Sequence, residues 1–238
     1  MSIWNPWHGC IKYSEGCANC YVYRRDETIG KDASSVVKNS AFDLPLRKNR
    51  AGGYKIPSGS TLYTCMTSDF FIEEADMWRD DIWAVIKQRP DVEFIIITKR
   101  IIRFSECIPD DWGEGYENVS VCCTVENQKQ CDIRLPLFVQ LPIRKKMICC
   151  EPLLGKIDMK DYLDGRISLL IAGGESGSDA RICDYEWILS LREQCAAKKV
   201  SFFFKQTGAK FRKDSKVFGI PRRLQELQAQ KAGINIDF

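Results

Sequence analysis

Uninterrupted apolar runs recur along the chain and predict six β-strands. They recur at intervals of roughly 30 residues, the length of one strand plus one crossover helix. Continuous apolar strands, in which polar and apolar residues do not alternate, are typical of a sheet covered on both faces. The pattern therefore favours a parallel sheet. The predicted strands are 62–66, 93–97, 118–123, 146–150, 168–172 and 200–204.

The segments between these strands carry apolar residues at helical spacing. The clearest predicted helix, 73–88, begins with acidic residues. Residues 32–61 are rich in Ser, Asn, Gly and Lys, so they predict a long irregular insertion. Pro6 argues against a regular strand before the first cysteines. The other predicted helices are 21–31, 127–139, 184–198 and 224–231.

Polar side chains follow nearly every predicted strand. In a (β/α) barrel the carboxyl ends of the strands form the rim where ligands bind. A doubly wound sheet would instead concentrate its ligand residues at one crevice. We therefore expect an α/β fold, a partial or complete (β/α) TIM-like barrel in a single domain, 1–238. The strand-end residues are Asp69, Lys99, Arg100, Glu126, Glu151, Glu175, Lys205 and Gln206.

Composition limits the class of protein. The chain has 238 residues, of which 45% are hydrophobic, so it is globular and not disordered. No uncharged apolar run reaches the ~18 residues that a membrane span needs, and no signal peptide pattern opens the chain. We therefore expect a cytoplasmic protein without a membrane partner. In a reducing compartment its twelve cysteines are thiols or metal ligands. Those inside apolar strands predict buried core residues: Cys122, Cys123, Cys149 and Cys150.

The net charge of +3 does not by itself indicate a nucleic-acid-binding protein. Local basic clusters leave two interpretations open. They are solvated loops and helix ends, or they form a surface that follows a phosphate backbone. The clusters are 24–25, 47–50, 144–146, 198–199, 210–213 and 222–223.

Three cysteines, Cys10, Cys17 and Cys20, lie in a loop over residues 4–21, and a glycine precedes each of the first two. Gly9 and Gly16 each let the backbone adopt positive φ and so let the thiolates converge. Converging thiolates suit a soft metal or an iron–sulfur cluster. One alternative is a structural zinc site completed by the single histidine, His8, or by a distant cysteine. The other is a [4Fe–4S] cluster with one iron open to a further ligand.

The strand ends supply further candidate ligand residues. Residues 173–176, Gly-Gly-Glu-Ser, either contact a ligand through an open backbone or form a plain turn. The carboxylates Glu126, Glu151 and Glu175 either converge on a ligand or form salt bridges at the rim. Asp69 either binds a ligand or caps the next helix. Lys99, Arg100 and Lys205 could hold a carboxylate or a phosphate.

Trp4 and Trp7 flank the cysteine loop. We expect them to bury the bound metal group. Stacking on a nucleic-acid base is the alternative.

Seven segments together resemble a phage-associated bacterial family of unknown function that is distantly similar to radical S-adenosylmethionine (SAM) enzymes, spore photoproduct lyase in particular. The segments are WNPWHGC…SEGCANCY (4–21), TSDFF (67–71), TKR (98–100), TVENQ (124–128), CEPLLG (150–155), GGESG (173–177) and FFFKQTG (202–208). The resemblance implies a radical-SAM-like partial barrel. It also implies a [4Fe–4S] cluster on Cys10, Cys17 and Cys20, with SAM chelating the open iron, and Tyr21 fits as the aromatic residue that often follows the third cysteine.

The leading hypothesis is therefore an enzyme of radical-SAM type, a lyase or transferase, that needs an electron donor. Its substrate would be a nucleic acid or a related nucleotide. Candidate catalytic residues are Lys99, Glu151 and Lys205, and candidate SAM-binding residues are Gly173, Gly174, Glu175, Ser176, Asp69 and Glu126. The alternatives are a non-catalytic iron–sulfur or zinc protein that binds nucleic acid or a partner protein, and a redox or ligand-sensing module.

Overall fold

The computed structural model describes residues 2–238, and its contacts divide the chain into two compact units. Unit 1 contains the N-terminal residues up to Lys12, Val22–Cys122 and Pro142–Lys145. Unit 2 contains Tyr13–Tyr21, Cys123–Leu141 and Lys146–Phe238. Each unit is described by itself below. The single domain expected over 1–238 stays a prediction.

Twelve strands and six helices are described. The strands are β1 (Ser2–Trp4), β2 (Trp7–His8), β3 (Val37–Lys38), β4 (Thr61–Thr64), β5 (Glu93–Thr98), β6 (Val119–Thr124), β7 (Lys145–Cys150), β8 (Ile167–Gly173), β9 (Cys183–Asp184), β10 (Ser201–Gln206), β11 (Lys210–Lys213) and β12 (Lys216–Gly219). The helices are α1 (Tyr21–Thr28), α2 (Arg79–Lys87), α3 (Phe104–Cys107), α4 (Gln128–Phe138), α5 (Tyr185–Lys198) and α6 (Arg222–Lys231).

In unit 1 the strand order is β1-β4-β5-β6, and the β1–β4 and β4–β5 pairs are parallel. The strand β1 corrects our expectation that Pro6 argues against a regular strand before the cysteines. It is only three residues long and ends at Trp4, so Pro6 falls outside it. The insertion 32–61 is irregular apart from β3, one short 3₁₀ helix and an isolated bridge, as predicted. The guanidinium of Arg89 anchors it by donating to the carbonyls of Pro45 and Ile56.

In unit 2 the strand order is β7-β8-β10, with parallel pairs throughout. A second sheet has the order β12-β11-β9. Helices α4 and α5 begin where an Asx residue accepts a hydrogen bond from the first turn, Asn127 from Gln130 N and Asp184 from Glu186 N. These caps explain why the predicted helix starts at 127 and 184 were nearly right.

The structure confirms an α/β fold, with all six predicted strands and every predicted helix but one within a few residues. In both units the strand order follows the chain order, as in a (β/α) barrel and unlike a doubly wound sheet. A partial (β/α) barrel is consistent with this topology. The predicted helix 73–88 is in fact a 3₁₀ segment, Glu73–Trp78, followed by α2.

The four strand cysteines predicted to be core residues are all buried: Cys122, Cys123, Cys149 and Cys150. Burial also raises the pKa of the Cys123 and Cys150 thiols above the ordinary value, because a thiolate would lose its hydration there. These residues are therefore inert packing groups. Among the described residues, no helix is long and apolar enough to cross a membrane.

Candidate cysteine site and the strand-end residues

Exposure separates the twelve cysteines into two groups. Cys10, Cys17 and Cys20 are partly exposed, whereas the other nine are buried. All twelve are free thiols, so no disulfide competes for the three motif sulfurs. The three residues that the spacing selected are therefore also the three thiols that a reagent or metal can reach.

In unit 1 the backbone around Cys10 is fixed on both sides. Cys10 N donates to Ala33 O at 2.8 Å, and the Tyr23 hydroxyl donates to Cys10 O at 2.5 Å. Gly9 has φ +95°, and a Cβ there would collide with the backbone of Ser35. Only glycine therefore fits at position 9, and the backbone conformation before Cys10 is tightly constrained.

Arg100 lies beside Cys10 in the same unit. Its Nη2 donates to Ile11 O at 2.6 Å, and its Nη1 lies 3.8 Å from Cys10 Sγ and 3.5 Å from Asp69 Oδ2. Asp69 also accepts from the Thr98 hydroxyl at 2.7 Å and from Lys99 N at 2.9 Å. Asp69 therefore braces the turn after β5, and Arg100 offers positive charge to the cysteine sulfur.

His8 is held by a buried carboxylate. Its Nε2 lies 2.5 Å from Asp26 Oδ2, and Arg25 also donates to Asp26. Burial opposes ionisation of Asp26, but the hydrogen bonds from Arg25 and His8 outweigh it and lower the pKa of that carboxyl. An ionised carboxylate only accepts hydrogen bonds, so Nε2 must donate. If His8 binds a metal, it can do so only through Nδ1.

Trp4 and Trp7 are completely buried. The Trp4 indole N–H donates to Ala41 O at 3.0 Å, and that of Trp7 donates to Asp69 O at 3.3 Å. Their rings pack on Phe94 and Phe70 in unit 1. Neither ring offers a face to solvent, so neither can stack on a base in this structure.

In unit 2 the loop that carries Cys17 and Cys20 forms one 3₁₀ turn, Glu15–Cys17, in which Cys17 N donates to Ser14 O, and Cys20 N then donates to Cys17 O in the turn that follows. Glu126 lies beneath this turn. Its Oε1 accepts from the Ser14 hydroxyl at 2.5 Å, and its Oε2 lies 2.8 Å from Arg134 Nη1. Both side chains of this ion pair are almost completely buried.

Gly16 does not use the positive φ that glycine permits. Glycine is required there for a different reason. A Cβ at this position would lie 2.5 Å from Glu126 Cγ, too close for any side chain. The loop therefore rests directly on the buried carboxylate.

Glu175 fixes the other side of the same loop. Its Oε2 accepts from Asn19 Nδ2 at 3.1 Å and from Arg181 N at 2.9 Å, and its Oε1 accepts from Arg181 Nη2 at 2.6 Å. Arg181 in turn donates to Glu15 O at 2.9 Å. Burial opposes ionisation of Glu175, but Arg181 and Asn19 outweigh it and lower its pKa. Glu175 is thus an ionised anchor of the cysteine loop.

Glu151 and Lys205 form a third polar group in unit 2, with their Oε2 and Nζ atoms 2.7 Å apart. Gln206 also donates to Glu151 at 3.2 Å. Burial disfavours the Lys205 ammonium, but Glu151 outweighs this and raises the pKa of Lys205. Lys205 therefore stays charged and about one third exposed.

The glycines after β8 serve packing inside unit 2. A Cβ on Gly173 would lie 2.6 Å from Glu151 Oε1, and one on Gly174 would collide with the carbonyl of Thr207. The backbone at Gly173 and Gly174 is closely approached, as an open backbone allows, but the approaching atoms belong to Glu151 and Thr207 of the protein itself. Ser176 is half-buried just beyond. The contact of 173–176 with SAM stays a prediction.

The structure therefore brings the predicted residues into three arrangements: Asp69 and Lys99 with Arg100 and Cys10, Glu126 and Glu175 around the 13–20 loop, and Glu151 with Lys205. Sequence reasoning missed Ser14, Asn19, Arg134 and Arg181. Ser14 and Asn19 bond to carboxylates 112 and 156 residues away, so no local pattern indicates them. Arg134 and Arg181 lie only 8 and 6 residues from Glu126 and Glu175, but those ion pairs have no helical or strand spacing that would mark them.

Within residues 2–238, no three or more His, Cys, Asp or Glu residues form a ready metal-ligating group. The chemistry of the motif donors nevertheless fits a soft metal or an iron–sulfur cluster, since the three candidates are accessible thiols on fixed backbone. The metal-ligand assignment to Cys10, Cys17 and Cys20 therefore stays a prediction.

Comparison with known proteins adds a family. A family model described as protein of unknown function (DUF5131) matches residues 1–237. The chain belongs to the DUF5131 family. No curated protein and no solved structure matches the chain. The predicted membership of a family of unknown function is thus confirmed, and the match covers residues 1–237.

Proposed function

We propose that this DUF5131 protein is an iron–sulfur enzyme of radical-SAM type, with a [4Fe–4S] cluster on Cys10, Cys17 and Cys20 and SAM as its cosubstrate. The observation that carries the proposal is the separation of the cysteines: the three motif thiols are accessible, and the other nine are buried. Phage association, a cytoplasmic location and a nucleic-acid or nucleotide-related substrate belong to the same proposal.

One observation favours a cluster over a closed zinc site. A structural zinc ion takes four protein ligands, and the motif supplies three thiols. His8 would complete a zinc site only through Nδ1, because its Nε2 donates to Asp26. Three thiolates suit a cluster whose remaining iron binds a small molecule. When bound, such a cluster would supply the electron for reductive cleavage of SAM, a chemistry that belongs to the cofactor.

The chain's own residues would orient the cofactor and the substrate. Arg100 offers an N–H to the Cys10 sulfur, a type of contact that tunes the electronic properties of a metal–thiolate site. Glu126 and Glu175 hold the loop of Cys17 and Cys20 in place. Gly173, Gly174, Ser176 and Asp69 stay candidates for contacts with SAM.

Lys205 is the strongest of the three candidate catalytic residues, because its ammonium is charged and accessible. It would hold an anionic group of a substrate, with Glu151 fixing the position of Nζ. Lys99 is half-buried after β5, and its backbone N–H is committed to Asp69.

Reductant-driven cleavage of SAM tests this proposal. The protein is reconstituted anaerobically with iron and sulfide, and 5′-deoxyadenosine is measured after addition of dithionite and SAM. We expect product from the wild type and none from Cys17→Ala. Cys195→Ala, which changes a buried cysteine, is the matched control and should retain cleavage. A cluster that forms without SAM binding would overturn the enzymatic proposal and favour the non-catalytic alternative. Uptake of zinc without iron would overturn the cluster.

A further inference from the structure

An exposed β-hairpin in unit 2 plays no part in the cysteine site. Strands β11 and β12 pair in antiparallel fashion, with Lys213 opposite Lys216 and Phe211 opposite Phe218. The turn residues Asp214 and Ser215 have φ of 50° and 65°, which suits a tight two-residue hairpin turn.

The base of this hairpin is firmly anchored. Phe211 is buried, and its ring centroid lies 5.8 Å from that of Tyr185 and 6.0 Å from that of Phe204. Arg212 Nε donates to Asp184 Oδ2 at 2.6 Å. The hairpin is therefore a fixed projection whose outer strand, β12, is exposed at all four positions.

Positive charge is concentrated here. Residues 210–223 contain six Lys or Arg and one Asp, a net charge of +5, whereas the whole chain carries +3. All other residues therefore sum to −2. Lys210, Lys213 and Lys216 are exposed, and none forms an ion pair with a carboxylate in the described part of the chain. A polyanion would find its strongest attraction at this hairpin.

Two features distinguish this hairpin from a surface that merely carries exposed lysines. Lys213 and Lys216 are directly opposite across the strands, where like charges repel, although the Lys213 ammonium also lies 5.1 Å from the centroid of the Tyr185 ring. Phe218 and Val217 are 47% and 52% exposed on the edge strand, where apolar residues are a liability unless they bind something. An anion between the lysines would relieve the repulsion, and a flat partner on Phe218 would cover the exposed ring.

We propose that the 210–219 hairpin binds single-stranded nucleic acid, with Lys213 and Lys216, which share one face of the hairpin with Phe218, contacting phosphates and Phe218 stacking on an unpaired base. Phosphate charge together with an aromatic face is the combination that recognises single strands. A duplex keeps its bases stacked on each other, and an acidic peptide offers no flat ring to Phe218. This inference rests on the proposed function only for the statement that the bound strand is the substrate.

Fluorescence anisotropy with a labelled oligonucleotide of about 20 unpaired nucleotides tests the inference. It uses the full chain without added cluster or SAM, so failure of the cofactor proposal does not affect it. The test variants are Phe218→Ala and the double variant Lys213→Glu/Lys216→Glu. The matched control, Lys31→Glu/Lys55→Glu, makes the same charge change at two exposed lysines outside the hairpin.

We expect Phe218→Ala to weaken binding roughly 5- to 150-fold, the range of a lost base–aromatic stack. The hairpin charge reversal should weaken it at least about tenfold and reduce the slope of log K against log salt by about 1.4, for two lost phosphate contacts. The control should bind within about twofold of the wild type.

Three results would overturn the inference. They are no binding by folded wild-type protein at about 50 mM salt, an equal loss in the control, and tighter binding of polyglutamate or of a duplex than of the single strand. Iron uptake, measured separately, should be unchanged in both hairpin variants. If the protein takes up iron normally but does not bind the single-stranded oligonucleotide, the hairpin inference is refuted and the cofactor proposal is not affected.

Discussion

Replacing Glu126 should cost a large part of the stability of the chain. Glu126 and Arg134 form an ion pair whose side chains are 0% and 1% exposed. Among residues 2–238, Arg134 Nε and Nη2 have no hydrogen-bond partner, so the carboxylate is the main compensation for the buried charge. Breaking such a pair from one side costs about 3–5 kcal/mol, because it leaves an uncompensated charge in the interior. Domains of ordinary stability have only about 5–15 kcal/mol in total.

Urea unfolding of the metal-free protein measures this cost. We expect Glu126→Gln and Arg134→Met each to lower the free energy of unfolding by about 3–5 kcal/mol. The double variant should recover most of the loss, because neither charge is then left alone. Asp158→Asn, which breaks an ion pair exposed on both sides, is the control and should cost at most about 1 kcal/mol.

Two results would refute this reasoning: a Glu126→Gln variant within about 1 kcal/mol of the wild type, or losses that simply add in the double variant. A second readout links the pair to the site. Because Glu126 holds the Ser14 hydroxyl, Glu126→Gln should speed alkylation of Cys17, and an unchanged rate would show that Glu126 does not position the loop.

Three further predictions follow from the same contacts. Gly16→Ala should destabilise the protein, because the added Cβ would collide with Glu126. Gly155→Ala is the control and should leave the stability unchanged, because a Cβ there meets nothing within 4 Å. Thermal unfolding compares the two variants, and equal stability would contradict the close packing of Gly16 on Glu126. Because Arg181 and Asn19 lower the pKa of Glu175, its contribution to stability is present above the unfolded pKa of about 4.3 and is lost as pH falls through the folded pKa. Arg181→Gln should therefore destabilise at about pH 7, and this cost in urea unfolding should shrink as pH falls below about 4.3; a cost independent of pH would be contrary evidence. Brief maleimide treatment of the folded metal-free protein should add three labels by mass spectrometry, one per accessible cysteine, and labelling of the buried nine would contradict their burial.

The fold was largely predictable because it depends on repeated local patterns. Continuous apolar runs spaced by one helix gave the parallel strands, and Asn127 and Asp184 marked the starts of α4 and α5. The strand β1 was missed because three residues are too few for a periodic signal. The 210–219 hairpin was missed because its exposed, charged strands do not resemble buried ones, and the sequence showed there only a basic cluster.

The sequence predicted which residue types form the candidate site, but it did not predict the hydrogen bonds that these residues make. The spacing of the cysteines selected the three accessible thiols, and strand ends located Glu126 and Glu175. That these carboxylates hold the cysteine loop depends on Ser14 and Asn19, more than 100 residues away along the chain. Gly16 shows the same limit, because its requirement for glycine comes from Glu126 and not from local backbone conformation.

Iron content after anaerobic reconstitution is the most direct measurement of the central claim. We predict about four irons and four sulfides per wild-type chain. Cys10→Ala, Cys17→Ala and Cys20→Ala should each lose most of this iron, while Cys195→Ala, at a buried position, should retain it. Full iron content in the Cys17→Ala variant, or a wild-type chain that binds only zinc, would contradict the assignment of the cysteine loop as the cluster site.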